Sequence, residues 1–294
     1  MGSTFTQAAE EKRTPINFPE TDIFLFDIDL NKTGNMMISS GENVTARKGY
    51  DNQPSFTPES KSFLYSRSGT YQTDIYEYDI ESRKSRQITK TATNEFSPIV
   101  SPDNRIITYI TDGAGANQNI AKLNRYKPDH SAALFPSLSL REPIGYYALN
   151  HQTGDVLFWS RYGYSVSLMQ SDGKTKHFVS GHAVPSTPHI IPNTNQFSFI
   201  HRQSNGEAWI KALDTKTRSI RPLIPVVGST ENYTWTPDGA ILMIEDDVLY
   251  RWMESSGQGW QDIADLSGYG IKNAARLSVS PDGKRLAVVG QAAE

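Results

Sequence analysis

Two short segments, "SRSGTY" from Ser66 and "SRYGY" from Ser160, set an arginine beside tyrosine in a Ser-Arg-x-Gly frame, and "HRQSNG" from His201 is a looser relative. A guanidinium fork flanked by aromatic rings suits planar anions and the surfaces of peptides or sugars, through paired hydrogen bonds and stacking. The candidate ligand-binding residues are therefore Arg67, Tyr71, Arg161, Tyr162, Tyr164, His201 and Arg202, joined by Glu231 and Asn232 from a neighbouring connection. The same recurrence has a structural reading, in which Ser-Arg closes a strand and serves turn geometry and hydrogen bonding between repeats. Metal chemistry would need clustered imidazoles. His182 and His189 flank "AVPSTP" and His201 follows, so His182 and His189 are the nearest to metal candidates, but their spacing has no helical or strand logic that would aim both at one ion. The sequence calls for no cofactor.

Other chemistries are excluded more directly. No cysteine occurs, which removes disulfides, thiolate metal sites and cysteine nucleophiles. There is no Gly-x-Ser-x-Gly elbow and no P-loop. Close carboxylates occur in "DID" from Asp27 and "EDD" from Glu245, beside strands that read as peripheral, where solvated edge charge is the plainer role. With 29 Lys and Arg against 32 Asp and Glu, the net charge is −3 and no basic cluster stands out, which argues against a nucleic-acid partner. No apolar run approaches the roughly 20 residues of a membrane-spanning helix.

The elements that must position these residues follow from a repeat. "PSFTPESKSFLYS" from Pro54, "PIVSPDNRIITYI" from Pro98, "YALNHQTGDVLFWS" from Tyr147, "PHIIPNTNQFSFI" from Pro188, "YTWTPDGAILMI" from Tyr233 and "LSVSPDGKRLAVV" from Leu277 share one plan. Their anchors Pro58, Pro102, His151, Pro192, Pro237 and Pro281 fall at intervals of 44, 49, 41, 45 and 44 residues. In each, an alternating segment enters a Pro-Asp-Gly type turn, where Pro fixes φ and Gly or Asn accepts positive φ, and a more apolar strand leaves it. A third alternating segment and a shorter fourth complete the unit, as in "DIYEYDIES" from Asp74 and "KHFVS" from Lys176. Four antiparallel strands per repeat of this length describe a β-propeller blade. The expected fold is all-β: a six-bladed β-propeller over residues 21–294, with an irregular tail at 1–20 that begins with a Met-Gly-Ser of cloning-remnant form.

The last copy supplies only two strands before the chain stops, while "DIFLFDIDL" from Asp22 and "NMMISSG" from Asn35 have the character of the missing two. The last blade is therefore expected to be closed by the N-terminal strands, which would pair an otherwise open edge.

These residues resemble the TolB-type propeller repeats, also described as PD40 or WD40-like. The segment "FTPESKSFLYSRSGTYQTDIYEYDIESRKSRQIT" from Phe56 follows that family's order almost throughout, and "SPDGK" from Ser280 matches its turn; "NHQTGD" from Asn150 departs most. The resemblance implies a non-enzymatic platform, a monomer that binds a protein or peptide, or a carbohydrate, in the periplasm or another extracytoplasmic compartment. The start "MGSTFTQAAEEKRTP" lacks the basic-then-apolar order of an export signal. The rival reading is a metal-dependent carbohydrate enzyme resembling the oligogalacturonate lyases, and a third is a propeller that serves as accessory to a larger protein. Function is expected on the loops that join the second strand of a blade to the third, and the fourth to the next blade's first.

Overall fold

The repeated turn is where each blade is decided. In "SPDGK" the Ser280 hydroxyl donates to Asp282 Oδ1 at 2.6 Å and accepts from Arg285 N at 2.9 Å. The Ser280 carbonyl accepts from Gly283 N at 2.8 Å, and Gly283 sits at φ +72°, a left-handed conformation that costs other residues most where they are branched or bulky. Ser101 repeats the pattern, donating to Asp103 Oδ1 and accepting from Ile106 N, with Asn104 left-handed at φ +61°. In the deviant third copy Asn150 substitutes for the hydroxyl: its Oδ1 accepts from Gln152 N at 2.9 Å and Thr153 N at 3.2 Å. Its backbone N–H still donates to the carbonyl five residues on, at Asp155, as Ser101 does to Ile106 and Ser280 to Arg285. The third copy therefore keeps the common register.

The structure, a computed structural model, describes residues 18–31, 35–112, 118–134 and 142–293. Of the expected tail, only Phe18–Glu20 lie among them. Strands β1 (Asp22–Leu30) and β2 (Met36–Asn43) come first. Blade 1 holds β3 (Asp51–Phe56), β4 (Ser62–Ser68), β5 (Thr73–Asp79) and β6 (Lys84–Gln87). Blade 2 holds β7 (Asn94–Val100), β8 (Ile106–Asp112), β9 (Gln118–Asn124) and β10 (Lys127–Ala133). Blade 3 holds β11 (Ile144–Leu149), β12 (Val156–Ser160), β13 (Ser165–Met169) and β14 (Lys176–Ser180). Blade 4 holds β15 (His189–Ile190), β16 (Phe197–Arg202), β17 (Ala208–Leu213) and β18 (Ile220–Pro225). Blade 5 holds β19 (Tyr233–Trp235), β20 (Ala240–Glu245), β21 (Val248–Met253) and β22 (Gln261–Asp265). The chain ends with β23 (Ile271–Val279) and β24 (Arg285–Ala292).

Six four-stranded antiparallel sheets result, and the sixth runs in the order β2-β1-β24-β23. The expected six-bladed propeller and its closure by the N-terminal strands are both present. The joining register pairs Ile23 with Val289, Phe24 with Val288 and Phe26 with Leu286, and Asp27 forms an ion pair with Arg285.

Apolar burial is divided among the blade junctions. One cluster joins Leu242, Ile244 and Leu249 of blade 5 to Phe24, Phe26 and Val288 of blade 6. Others join blade 6 to blade 1 through Ile23, Val289 and Phe63, and blade 4 to blade 5 through Ile200, Ile210, Ile241 and Trp252. Tyrosines tie neighbouring blades: Tyr147 OH donates to Thr108 Oγ1 at 2.8 Å and Tyr233 OH to Ser198 Oγ at 2.8 Å.

Phe26 has no exposed surface and lies edge-on to Tyr269 at 5.1 Å, at the seam where the two ends meet. Phe26→Ala is expected to cost about 3–5 kcal/mol of stability, the usual range for emptying a fully buried aromatic site. Urea unfolding followed by circular dichroism checks this. A change below about 1 kcal/mol would mean that the terminal strands do not bear on the ring's cooperativity.

Candidate functional site

Three predicted residues meet on the connection between β12 and β13. Trp159 at the end of β12 is buried and donates from Nε1 to the Ala183 carbonyl at 3.0 Å. Tyr164 is held in left-handed backbone at φ +44°, and its carbonyl accepts from Ala183 N at 2.9 Å. Its ring stands edge-on to Trp159 at 5.5 Å, yet 59% of the residue is exposed, and Tyr162 is 69% exposed. Left-handed backbone is uncommon for a bulky residue and concentrates at functional positions. Arg161 reaches to blade 2 and donates from Nη1 to Gln118 Oε1 at 3.1 Å. Together with Pro143 and Pro185 these side chains line an open cleft of about 410 Å³. Aromatic walls, prolines and one guanidinium fork can stack on a flat or extended partner and fix a carboxylate or a backbone carbonyl.

The other predicted residues fall elsewhere. Arg67 lies over the ring of Tyr76, 4.7 Å from its centroid, and Tyr71 is exposed nearby on the same blade's loop. Ser66 donates to Gln53 Oε1 at 2.8 Å, and the same oxygen accepts from Ser97 N at 2.8 Å, which links blade 1 to blade 2. In that first Ser-Arg element the structural reading is the one the geometry carries. His201 Nδ1 accepts from Lys211 Nζ at 3.0 Å, and burial, Lys211 and His182 hold the imidazole below its ordinary pKa. Arg202 donates to the Gly206 carbonyl and stands 4.0 Å from Glu231 across the junction of blades 4 and 5. His182 is exposed at φ +50° beside His201, whereas His189 lies on β15 facing the channel, with its ring 4.6 Å from Tyr233. Burial lowers the His189 pKa to about 4, so it is neutral there. Among the described residues no group of three or more His, Cys, Asp and Glu side chains is placed to hold a metal.

Asn232, expected on the loop face, turns out to line the central channel. The reason is the strand period. Counting back from the residues just before the turn anchors, Thr57, Ser101, Asn150, Ile191, Thr236 and Ser280, the fourth residue is Gln53, Ser97, Tyr146, Thr187, Asn232 and Arg276. The second residue back is Ser55, Ile99, Ala148, His189, Thr234 and Ser278. Alternation aims both sets one way and the residues between them, such as Tyr147 and Tyr233, into the blade junctions. The channel holds a cavity of about 270 Å³, lined by five members of the first set and all six of the second. Arg276 was not singled out from sequence. The signal was available: it is the one charge at a position filled in the other copies by amides, hydroxyls and a phenol.

Arg276 of blade 6 spans the channel to blade 3, donating from Nη2 to Tyr146 OH at 2.7 Å with its guanidinium 5.0 Å from the same ring's centroid. Tyr50 adjoins this pair, its phenol pushed up to about 12 chiefly by burial, and Phe18 packs on Tyr50 at 4.8 Å and on Phe96 at 6.0 Å.

No family model matches the chain, and no curated protein matches it. Solved structures do. TolB from Acinetobacter baumannii is 13% identical with a TM-score of 0.57, the match covering 93% of this chain and 65% of that one. A putative TolB from Agrobacterium tumefaciens is 13% identical with a TM-score of 0.66, covering 92% and 98%. An oligogalacturonate lyase from Vibrio parahaemolyticus is 11% identical with a TM-score of 0.51, covering 92% and 98%. At such identities these likenesses establish the six-bladed fold, which hosts unrelated activities.

Two carboxyl groups at the first blade junctions titrate abnormally. Glu95 and Asp51 have no exposed surface, and desolvation raises their pKa values to about 7 and about 6. Asp51 keeps Arg47 at 3.5 Å; Glu95 Oε1 accepts from Thr91 Oγ1 at 2.8 Å. A carboxyl raised in the folded state binds its proton more tightly there than when unfolded. Its contribution to stability is then full below the unfolded pKa and lost as pH rises through the folded one. Urea unfolding is therefore expected to show stability falling between about pH 4 and pH 7, with a shallower slope for Glu95→Gln. Coincident slopes would show that Glu95 does not titrate in that window.

Proposed function

We propose that this protein is a non-enzymatic binding platform that engages an extended protein or peptide segment at the Arg161, Tyr162 and Tyr164 cleft. The observation that carries the reading is the convergence of two exposed tyrosines and an arginine on a rigid, aromatic-floored cleft between proline walls. Tyr and Arg are the residues on which binding energy concentrates at protein interfaces. Proline and tyrosine walls suit an extended chain, whose own side chains and carbonyls can stack and accept hydrogen bonds. The resemblance to TolB-type repeats supports the same role and implies an extracytoplasmic, envelope setting and a monomer. Among the described residues no helix is long and apolar enough to cross a membrane. The rival reading, a metal-dependent enzyme of the oligogalacturonate lyase kind, draws on fold likeness and has no clustered ligand set among the described residues to support it.

Selection of a displayed random-peptide library against the immobilised protein tests the proposal. Selected peptides should lose about tenfold to thirtyfold in affinity on Tyr164→Ala and on Arg161→Ala, the scale of a hot-spot residue, and keep it on Tyr71→Ala. Peptides that bind equally to all four proteins would place recognition elsewhere.

A further inference from the structure

We propose that the central channel is a second, separate binding site, and that it takes a small hydroxylated monocarboxylate whose carboxylate is held by Arg276.

The argument starts from charge. Among the described residues, Arg276 is the only formally charged one lining the cavity. Among the described residues it has no acidic partner, whereas Arg47, Arg125, Arg251 and Arg285 each meet an aspartate or glutamate. Its recorded partner is the Tyr146 phenol, which accepts one of five available N–H donors and keeps its own proton to donate. A half-buried cation that faces a cavity of mixed polar and apolar lining without a counter-charge is costly unless an anion completes it.

A second observation points the same way without reference to Arg276. Ser186 lines the cavity, is only 4% exposed, and its Oγ is buried with no hydrogen-bond partner among the described residues. Buried hydroxyls are nearly always paired, and a turn of the Ser186 side chain toward the channel would bring this one onto an entering guest.

The rest of the lining defines the ligand. Gln53, Ser55, Ser97, Asn232 and Ser278 offer amides and hydroxyls, which match hydroxyl groups on a guest. One cation balances one carboxylate; a second carboxylate would be buried without a counter-charge. The guanidinium fork takes a carboxylate through two parallel hydrogen bonds, and the second charge of a sulfate, like that of a second carboxylate, would be buried without a counter-charge. The volume of about 270 Å³ corresponds to roughly nine waters at ~30 Å³ each, room for an acid of a few carbons. Entry is from the side of the Pro-Asp-Gly turns. A second cavity of about 330 Å³ shares His189, Ile190 and Thr234 with the channel and opens among Asn193, Pro237 and Pro281. The opposite mouth is crossed by Arg276 and Tyr146.

Calorimetric titration with lactate and glycerate, with succinate, sulfate and glycerol as comparisons, tests the site. The expected result is saturable one-to-one binding of the two hydroxy acids at millimolar concentration or below, weaker binding of succinate and sulfate, and none of glycerol. Arg276→Gln should weaken it by about tenfold or more, the worth of a charge-assisted pair, and Ser186→Ala by about threefold to tenfold. Tyr162→Ala should leave it unchanged, so failure of the cleft reading and failure of this one are separable. Absence of saturable binding by either acid, or equal binding by Arg276→Gln, overturns the proposal. Should Arg276→Gln fold poorly by circular dichroism, Arg276→Lys and Ser186→Ala decide, and undiminished affinity in both overturns it.

Discussion

A ring of sheets has to end where it begins, and here the junction is a backbone ladder. The antiparallel pairing of β1 with β24 converts two chain ends into the middle of one sheet, so that no blade presents a central strand with unpaired amides and carbonyls. The apolar clusters depend on this. Each is shared by two blades, and the cluster at the seam mixes Phe24 and Phe26 from the start of the chain with Leu286 and Val288 from its end. Without the ladder, the last wedge of core would lose half its walls, and the first blade would lose the Ile23 and Val289 surface against which Phe63 packs.

Because packing is spent between blades, the axis of the ring is left over. Alternation along each innermost strand sends one set of side chains into a junction and the other into the channel. Junction positions take Tyr147 and Tyr233, which are buried and hydrogen-bonded to the preceding blade. Channel positions are mostly polar, with Ile99 and Ala148 the exceptions, and only a side chain as long as that of Arg276 reaches the facing wall. Their chemistry is set by two residues per blade, which is why a single arginine there changes the character of the whole cavity.

Much of this was legible in the sequence, and the reasons for the remainder are specific. Turn chemistry and period fixed the blades, and the complementary ends fixed closure. Even Asn150 could be accommodated, since an asparagine carbonyl does for the turn what a serine hydroxyl does elsewhere. The fate of the Ser-Arg element was not legible, because it turns on residues from other strands. Arg67 and Arg161 occupy equivalent places, but Tyr65 faces Tyr76 across the ladder where Trp159 faces Val166. A ring is present for Arg67 to lie on; a valine offers none, and Arg161 extends outward to Gln118. Likewise Ser66 finds Gln53, while the corresponding position beside Ser160 is Tyr146, and Ser160 Oγ is left without a partner among the described residues. One motif thus gives a structural clasp in blade 1 and a binding wall in blade 3. Tertiary neighbours decide between them, and a local reading of either copy could not.

The same substitution links the two proposed sites. Released from the role Gln53 plays in blade 1, Tyr146 stands 5.8 Å from Trp159, which in turn supports Tyr164 in the cleft, and on its other side it receives Arg276. An unbroken line of rings therefore runs from the exposed cleft to the cation in the channel. Contiguity alone does not transmit anything, since coupling needs an element with two arrangements. Tyr146 has one arrangement here: Arg276, Trp159 and the apolar cluster between blades 3 and 4 all hold it, and an anion on the remaining guanidinium donors leaves it in place, so the two sites stand as independent.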